Sequence, residues 1–159
     1  MEFNVSQFIK KNPGAIKSFS LLNHVFYLQN QVEYKTTLIH PTGETNLSGS
    51  AEMIRTDVGI WVTALLTCEV NSQCSRCLNT HTRKLSLKIN EEYYVNSYAS
   101  NNLEIEETQY ITNDNILDLT DSIRDHIELE IPLNPICDET CAGICVNCGL
   151  NLNLDSCIC

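Results

Sequence analysis

Apolar and polar positions alternate along much of the chain, which predicts β-strands, and the period becomes helical near residue 116. Residues 47–55 alternate, a Thr-Asp-Val-Gly turn follows, and residues 60–70 (IWVTALLTCEV) form a long β-branched run. The next strand places three apolar side chains on one face, Leu85, Leu87 and Ile89. We therefore predict a β-hairpin and a third strand within residues 47–95.

Four residues spaced at i, i+3, i+7 and i+11 carry the helical period, namely Ile116, Leu119, Ile123 and Ile127. Carboxylates near the start complement the positive end of the helix dipole, and Pro132 cannot continue the helix. These signals predict one helix over residues 116–131. The fold class that follows is α+β, with a mainly antiparallel sheet of about five or six strands, this helix and a cysteine-rich tail over residues 137–159.

The remaining segments give weaker signals. Residues 1–18 are predicted to be an irregular lead-in, residues 19–28 a buried strand and residues 32–39 a weaker strand candidate. Residues 96–114 are polar and acidic, which is typical of a loop with at most one short strand. Because 159 residues, 43% of them hydrophobic, suffice for one core, we predict a single domain over residues 1–159.

The chain lacks signals for a membrane or for export. No run approaches the roughly 18 apolar residues that a membrane span needs, and the first residues lack the basic-then-apolar pattern of a signal peptide. We therefore expect a cytoplasmic protein with no membrane partner. In a reducing compartment, clustered cysteines are metal ligands more often than disulfides. The odd count of nine cysteines argues the same way, although oxidised pairing within the tail is the alternative.

Eight of the nine cysteines fall into two regions, a C-x2-C pair in the middle of the chain and six cysteines in the tail at spacings C-x3-C-x3-C-x2-C-x8-C-x-C. A C-x2-C pair places two thiolates on one tight turn, within reach of a single tetrahedral ion. We prefer two sets of four, with Cys74, Cys77, Cys137 and Cys141 in one and Cys145, Cys148, Cys157 and Cys159 in the other. A set that unites Cys141, Cys145 and Cys148 stays open, because spacing alone does not fix the grouping.

Ligand chemistry favours zinc. Thiolate-only tetrahedral sites select zinc or iron–sulfur clusters, and the tail does not match the C-x2-C-x2-C-x3-C-P run of bacterial ferredoxins. Four thiolates leave no open position for water, so we predict two structural Zn²⁺ ions and a zinc-binding tail. A redox-active or metal-handling role of the cysteines is the alternative.

Two further residues need an interpretation. His81 is an alternative metal ligand, and its other interpretation is a solvated histidine at a strand end. Cys68 is interpreted as a small buried hydrophobe.

The net charge of −10 is unevenly spread. Residues 1–97 carry nine basic and eight acidic side chains, whereas residues 98–159 carry one basic side chain and twelve acidic ones. The acidic half would repel a phosphate backbone and suits a basic protein partner. Any RNA contact would therefore use the first half, where the candidates are Arg76, Arg83, Lys84 and Lys88, with a solvated strand face as the alternative interpretation of this cluster.

Catalytic motifs are missing from the sequence. It contains no Gly-rich phosphate loop, no G-x-S-x-G and no Cys-His pair with supporting context. We therefore predict neither enzyme activity nor a small-molecule substrate.

Four motifs occur in a fixed order, CSRCL at 74–78, LSLKINEEY at 85–93, DLTDSIRDHIELEIPLNPIC at 118–137 and CAGICVNCGLNLN at 141–153. Together they resemble the bacterial YceD family, named for accumulation of large-subunit ribosomal RNA, over roughly residues 45–159. The resemblance implies a bacterial cytoplasmic protein with a role in accumulation or processing of 23S rRNA and a link to a large-subunit ribosomal protein. It matches Cys74 and Cys77 to the family's hairpin pair and the last 23 residues to its cysteine tail.

The residues and the resemblance together predict a non-enzymatic factor for 50S subunit biogenesis that sustains 23S rRNA levels. Its partners would be 23S rRNA or its precursor, a basic large-subunit ribosomal protein, or both. The charge asymmetry favours the protein contact.

Overall fold

The computed structural model describes residues 1–28, 43–95 and 109–159, and it has the predicted α+β class with a mainly antiparallel sheet. Its elements in chain order are β1 (Glu2–Asn4), α1 (Ser6–Ile9), β2 (Ile16–Leu28), β3 (Gly43–Arg55), β4 (Gly59–Gln73), β5 (Thr80–Val95), β6 (Tyr110–Ile111), β7 (Ile116–Asp118) and α2 (Thr120–Glu130). The strand candidate at 32–39 and most of the loop predicted at 96–114 lie outside the described residues.

The main sheet has the strand order β2-β3-β4-β5-β6. Strands β2 to β5 are antiparallel neighbours, and β6 joins β5 in parallel. Because side chains alternate between the faces of a strand, one face collects the apolar positions and forms the core, with Leu47, Val62 and Leu87 fully buried. The other face of β4 keeps Trp61 and Leu65 partly exposed beside polar neighbours.

Helix α2 packs against β5 through its apolar stripe. Ile123 and Ile127 are fully buried in the same core as the sheet. Burying such a side chain stabilises the fold by about 1.5–3 kcal/mol, so this stripe is sufficient to hold the helix in place. The helix ends before Pro132 because Ile131 adopts the extended backbone that a following proline favours. Neither helix in the described part of the chain has the length and apolar character needed to cross a membrane.

The predicted helix over 116–131 begins four residues too early. Residues Ile116–Asp118 form strand β7, which pairs with β1, and α2 starts at Thr120. The Asp118 carboxylate accepts a hydrogen bond from the Thr120 N–H at 2.9 Å, and this bond satisfies a free amide of the first helical turn. Leu119 is buried just before the helix and Ile116 is half-buried in β7, so both matched the helical spacing of Ile123 and Ile127 and suggested a longer helix.

Residues 1–18 are more ordered than the predicted irregular lead-in. They contain β1, the short helix α1 and the first residues of β2. Val5 and Phe8 are buried in the main core. The partner of β1 lies more than 110 residues further along the chain, so no local pattern could reveal the pairing.

Candidate metal centres

The first C-x2-C pair occupies the turn between β4 and β5, which we call the first knuckle (residues 73–80). The Cys74 N–H donates to the Asn79 carbonyl and the Leu78 N–H donates to the Cys74 carbonyl, both at 2.9 Å. Leu78 adopts a φ of +63°, which tightens the turn. The Cys77 N–H is the main group that lowers the pKa of the Cys74 thiol to about 5, so this sulfur is prepared as a thiolate.

A second knuckle (residues 144–151) repeats this turn in the tail. The Cys145 N–H donates to the Leu150 carbonyl at 2.7 Å, and the Gly149 N–H donates to the Cys145 carbonyl at 2.8 Å, with the same spacings as in the first knuckle. Gly149 takes the left-handed position with a φ of +75°. The Cys148 N–H is the main group that lowers the pKa of the Cys145 thiol, here to about 6. In each knuckle, backbone N–H groups therefore lower the pKa of the first cysteine.

Four sulfurs meet beside the first knuckle. The Sγ atoms of the first cysteine group (Cys74, Cys77, Cys137 and Cys141) lie within 4.8 Å of one another. Two of these distances are 3.9 Å, from Cys74 to Cys141, and 3.7 Å, from Cys77 to Cys137. A tetrahedral ion with metal–sulfur bonds of about 2.3 Å requires sulfurs about 3.8 Å apart. The group therefore fits one tetrahedral metal ion, and its members are buried except for Cys137.

Four more sulfurs meet beside the second knuckle. The second cysteine group (Cys145, Cys148, Cys157 and Cys159) also lies within 4.8 Å. Its sulfurs are 3.5 Å apart from Cys145 to Cys159 and from Cys148 to Cys157, and 2.8 Å apart from Cys157 to Cys159. Cys148 and Cys159 are exposed. This group also has the ligand number and type for a metal ion, but the protein shields it less.

The two groups coincide with the split preferred from the sequence, and the set uniting Cys141, Cys145 and Cys148 does not occur. All nine cysteines lie in the described part of the chain and are free thiols. The structure therefore provides two sets of four cysteines, each able to hold one metal ion.

Backbone hydrogen bonds attach the tail to the first knuckle. The Ser75 N–H donates to the Pro135 carbonyl at 2.7 Å. Asn153, in the loop between Cys148 and Cys157, contacts the first cysteine group, because its side-chain amide donates to Cys141 Sγ at 3.4 Å while its oxygen accepts from the Ala142 N–H at 2.7 Å. The sequence offered no signal for Asn153, whose partners lie eleven or twelve residues away in an irregular segment.

The four proposed RNA-binding side chains do not form one surface. The Arg76 guanidinium donates through Nη1 to the carbonyls of Glu139 and Cys141 at 3.1 and 3.2 Å. Arg83 is half-buried on the same face of β5 as Leu85, whereas Lys84 and Lys88 are exposed on the opposite face. Only Lys84 and Lys88 therefore form an exposed basic pair on one face, and RNA contact by these residues stays a prediction.

Replacing Arg76 by alanine should loosen the first cysteine group. The substitution removes two charge-assisted hydrogen bonds to the segment that carries Cys137 and Cys141, and we expect a loss of about 1–2 kcal/mol in the unfolding free energy of the metal-loaded protein. Urea unfolding measures this loss, and a chelator should also remove metal faster. Lys84→Ala is the matched control, since Lys84 is a basic side chain on the exposed sheet face. Equal behaviour of the two variants would contradict the role given to Arg76.

Two further candidates have different surroundings from the cysteine groups. Burial raises the pKa of the Cys68 thiol to about 11, which agrees with its interpretation as a small buried hydrophobe. His81 belongs to neither cysteine group. Both its ring nitrogens are buried without a hydrogen-bond partner among the described residues, so the interpretation as a solvated histidine is wrong. Its position gave the signal, since His81 shares the face of Leu85 in the alternation of β5.

Comparison with known proteins identifies relatives of the part of the chain that carries both cysteine groups. A family model described as large ribosomal RNA subunit accumulation protein YceD matches residues 62–159. An uncharacterized protein of Mycobacterium tuberculosis is 30% identical over 95 residues, which cover 59% of this chain and 45% of the relative. One of Mycobacterium leprae is 30% identical over 109 residues, covering 67% and 48%.

A plant protein shares a shorter region. The chloroplastic large ribosomal RNA subunit accumulation protein YCED homolog 1 of Arabidopsis thaliana is 46% identical over 43 residues, which cover 27% of this chain and 13% of the relative. The chain spans about half the length of the mycobacterial relatives that it matches. No solved structure matches it.

Proposed function

Because the chain belongs to the YceD family of large ribosomal RNA subunit accumulation proteins, we propose that it is a non-enzymatic factor for 50S subunit biogenesis, which sustains the accumulation or processing of 23S rRNA in a bacterial cytoplasm. The observation that carries this proposal is the coincidence of the family match with both groups of four cysteines. Four thiolates fill a tetrahedral coordination sphere and leave no position for a substrate or water. The cysteines then act as scaffold rather than as catalyst.

The metal in this proposal is zinc, one ion in each group. All eight ligands are thiols, which select zinc or iron–sulfur chemistry, and the sulfur distances of the first group match a single tetrahedral ion. Elemental analysis of protein purified without added metal or chelator should give two zinc ions per chain. Iron with acid-labile sulfide would contradict the assignment.

A basic large-subunit ribosomal protein is the direct partner that the charges favour. Of the four proposed RNA contacts, Arg76 binds the protein's own tail and Arg83 lies on the core face, so the exposed basic pair is too small to anchor a long RNA. The half of the chain that follows residue 97 carries twelve acidic side chains and one basic one. Electrostatic complementarity then favours a cationic protein.

Complementation in a deletion strain of the source organism tests the function and the mode of contact. Loss of the gene should lower the ratio of 23S to 16S rRNA severalfold, and the wild-type chain should restore it. The double variant Lys84→Glu and Lys88→Glu should restore it equally well, because the proposed contact is made through protein. The matched control is Lys10→Glu with Lys11→Glu, an exposed basic pair outside the family match.

Two outcomes of that experiment count against the proposal. A normal 23S rRNA level in the deletion strain would contradict the proposed function itself. If the Lys84 and Lys88 variant fails to restore the 23S rRNA level while the control restores it, direct contact with RNA is favoured over contact with a protein.

A metal-handling or redox-active role is the second candidate, and the exposure of Cys148 and Cys159 is the observation that favours it. Thiol titration of the native, metal-loaded protein separates the two roles. If the cysteines form a structural scaffold, Cys68 and the eight ligand cysteines should react only slowly with the thiol reagent. If one site is transferable, it should release its metal ion and expose four rapidly reacting thiols.

A further inference from the structure

The two knuckles have the same backbone turn but different surroundings. In the first knuckle, the residue after the first cysteine is Ser75, and its N–H is occupied by the Pro135 carbonyl at 2.7 Å. The next residue, Arg76, donates to two more carbonyls of the same tail segment. The outer edge of the first knuckle is thus a docking edge for an irregular length of polypeptide, residues 135–141.

The corresponding edge of the second knuckle is open. Val146 occupies the position of Ser75, and its N–H has no hydrogen-bond partner among the described residues. Its side chain is 96% exposed, and the side chain of Ile158 is fully exposed. Because Cys145 Sγ and Cys159 Sγ are 3.5 Å apart, Val146 and Ile158 flank one and the same cysteine group.

Two fully exposed aliphatic side chains on a rigid turn make an effective contact surface. A filled metal site fixes the backbone on both sides of them, so that a partner loses little free energy by ordering this surface. Burying the two side chains removes apolar area from water, and the Val146 N–H supplies one backbone hydrogen bond with a defined direction.

Charge selects the class of partner. Residues 132–159 contain three acidic side chains and no basic one. Each zinc ion held by four thiolates adds two net negative charges. This surface repels the phosphates of RNA and of anionic lipids, whereas a polypeptide rich in Lys and Arg is attracted to it.

We propose that the second knuckle docks a short segment of a cationic protein, with a partner carbonyl accepting a hydrogen bond from the Val146 N–H and apolar partner side chains covering Val146 and Ile158. The arrangement copies the way in which residues 135–141 occupy the first knuckle. The inference rests on the proposed function, since it names the surface through which the basic ribosomal protein would be bound.

The test uses the full-length, zinc-loaded chain and two defined probes, the rRNA-free protein mixture extracted from purified large ribosomal subunits and naked 23S rRNA. The variant Val146→Ser with Ile158→Ser removes the apolar contacts without touching a metal ligand. The matched control is Leu22→Ser with Val25→Ser, which removes two exposed aliphatic side chains from β2. All proteins are first checked for two zinc ions per chain and for an unchanged unfolding midpoint.

The expected result is retention of one or a few cationic proteins by the wild type and the control, with at least tenfold weaker retention by the Val146 and Ile158 variant. Equal retention by that variant, retention of 23S rRNA without protein, or no retention at all would each overturn the proposal. Complementation distinguishes failure of the docking surface from failure of the proposed function. A deletion strain with normal 23S rRNA would contradict the proposed function. If the deletion strain is defective, full rescue by the Val146 and Ile158 variant would contradict only the docking surface.

Discussion

Replacing Cys74 by serine is expected to cost the protein about 4 kcal/mol of unfolding free energy and to release its tail. The first cysteine group joins the turn between β4 and β5 to the tail, and Cys74 lies 67 positions from Cys141, whose sulfur is 3.9 Å away. A cross-link that closes a loop of this length stabilises a fold by about 4 kcal/mol in the chain-entropy treatment used for disulfides, and a metal bridge closes the loop in the same way.

The comparison with the second group makes this expectation specific. Cys148→Ser opens a bridge to Cys157, which is only nine positions away. The same treatment gives a loss of about 2.6 kcal/mol in unfolding free energy for this bridge. Cys148 is also exposed. Urea unfolding followed by the fluorescence of the single tryptophan, Trp61, reports on the sheet in both variants. Limited proteolysis should cut the tail of Cys74→Ser first. A larger loss for Cys148→Ser than for Cys74→Ser would reverse the roles given to the two groups.

Gly59→Ala is expected to destabilise the protein by about 3 kcal/mol for a purely steric reason. Gly59 opens β4 opposite Tyr94, and an added Cβ would come within 2.0 Å of the Tyr93 carbonyl oxygen. Atoms of the partner strand's backbone cannot move aside without breaking the pairing of β4 with β5, so the overlap must be relieved by separating the strands. Thermal or urea unfolding of the metal-loaded variant measures the loss.

Gly43→Ala is the matched control for Gly59→Ala. Gly43 has a φ of +102°, and an added Cβ would meet no atom of the described residues within 4 Å, so this substitution costs only backbone strain of about 1–2 kcal/mol. The Gly59 variant should therefore be the less stable of the two. The opposite order would show that the contact between Gly59 and Tyr93 tolerates a methyl group.

The parts of the structure that follow from neighbouring residues were predictable from the sequence. The alternation at 47–55, 60–70 and 85–89 identified three strands, because each strand buries one face only. The C-x2-C spacing identified both knuckles, because the turn that presents two thiolates to one ion has a fixed length. Partners distant in sequence were not predictable, and the pairing of β1 with β7 is the clearest case.

Two interpretations of side chains could have been improved with the sequence alone. Arg83 and His81 have the same parity along β5 as Leu85, so the alternation already placed them on the core face and away from Lys84 and Lys88. The contacts of Arg76 could not have been predicted in this way, because nothing in its sequence neighbourhood indicates that it donates to carbonyls more than 60 residues away. A basic residue inside a C-x2-C turn can contact RNA or donate hydrogen bonds to the protein's own backbone, and its sequence position does not distinguish the two.

The repeated turn has a consequence for the order in which the protein assembles. The first knuckle ends the long ladder of β4 and β5, whose pairing is local in sequence and therefore forms early in folding. Among the described residues, the second knuckle is followed by no long ladder but by one isolated bridge, from Ile144 to Asn151, and the hydrogen bond from the Leu152 N–H to the Gly143 carbonyl. So short a pairing is too weak to hold the turn by itself before a metal binds. The hairpin would thus capture its ion with two thiols already in place. The tail would then be recruited to an ion half coordinated by the turn between β4 and β5, so metal supply would govern the last step of folding and leave the first steps unaffected.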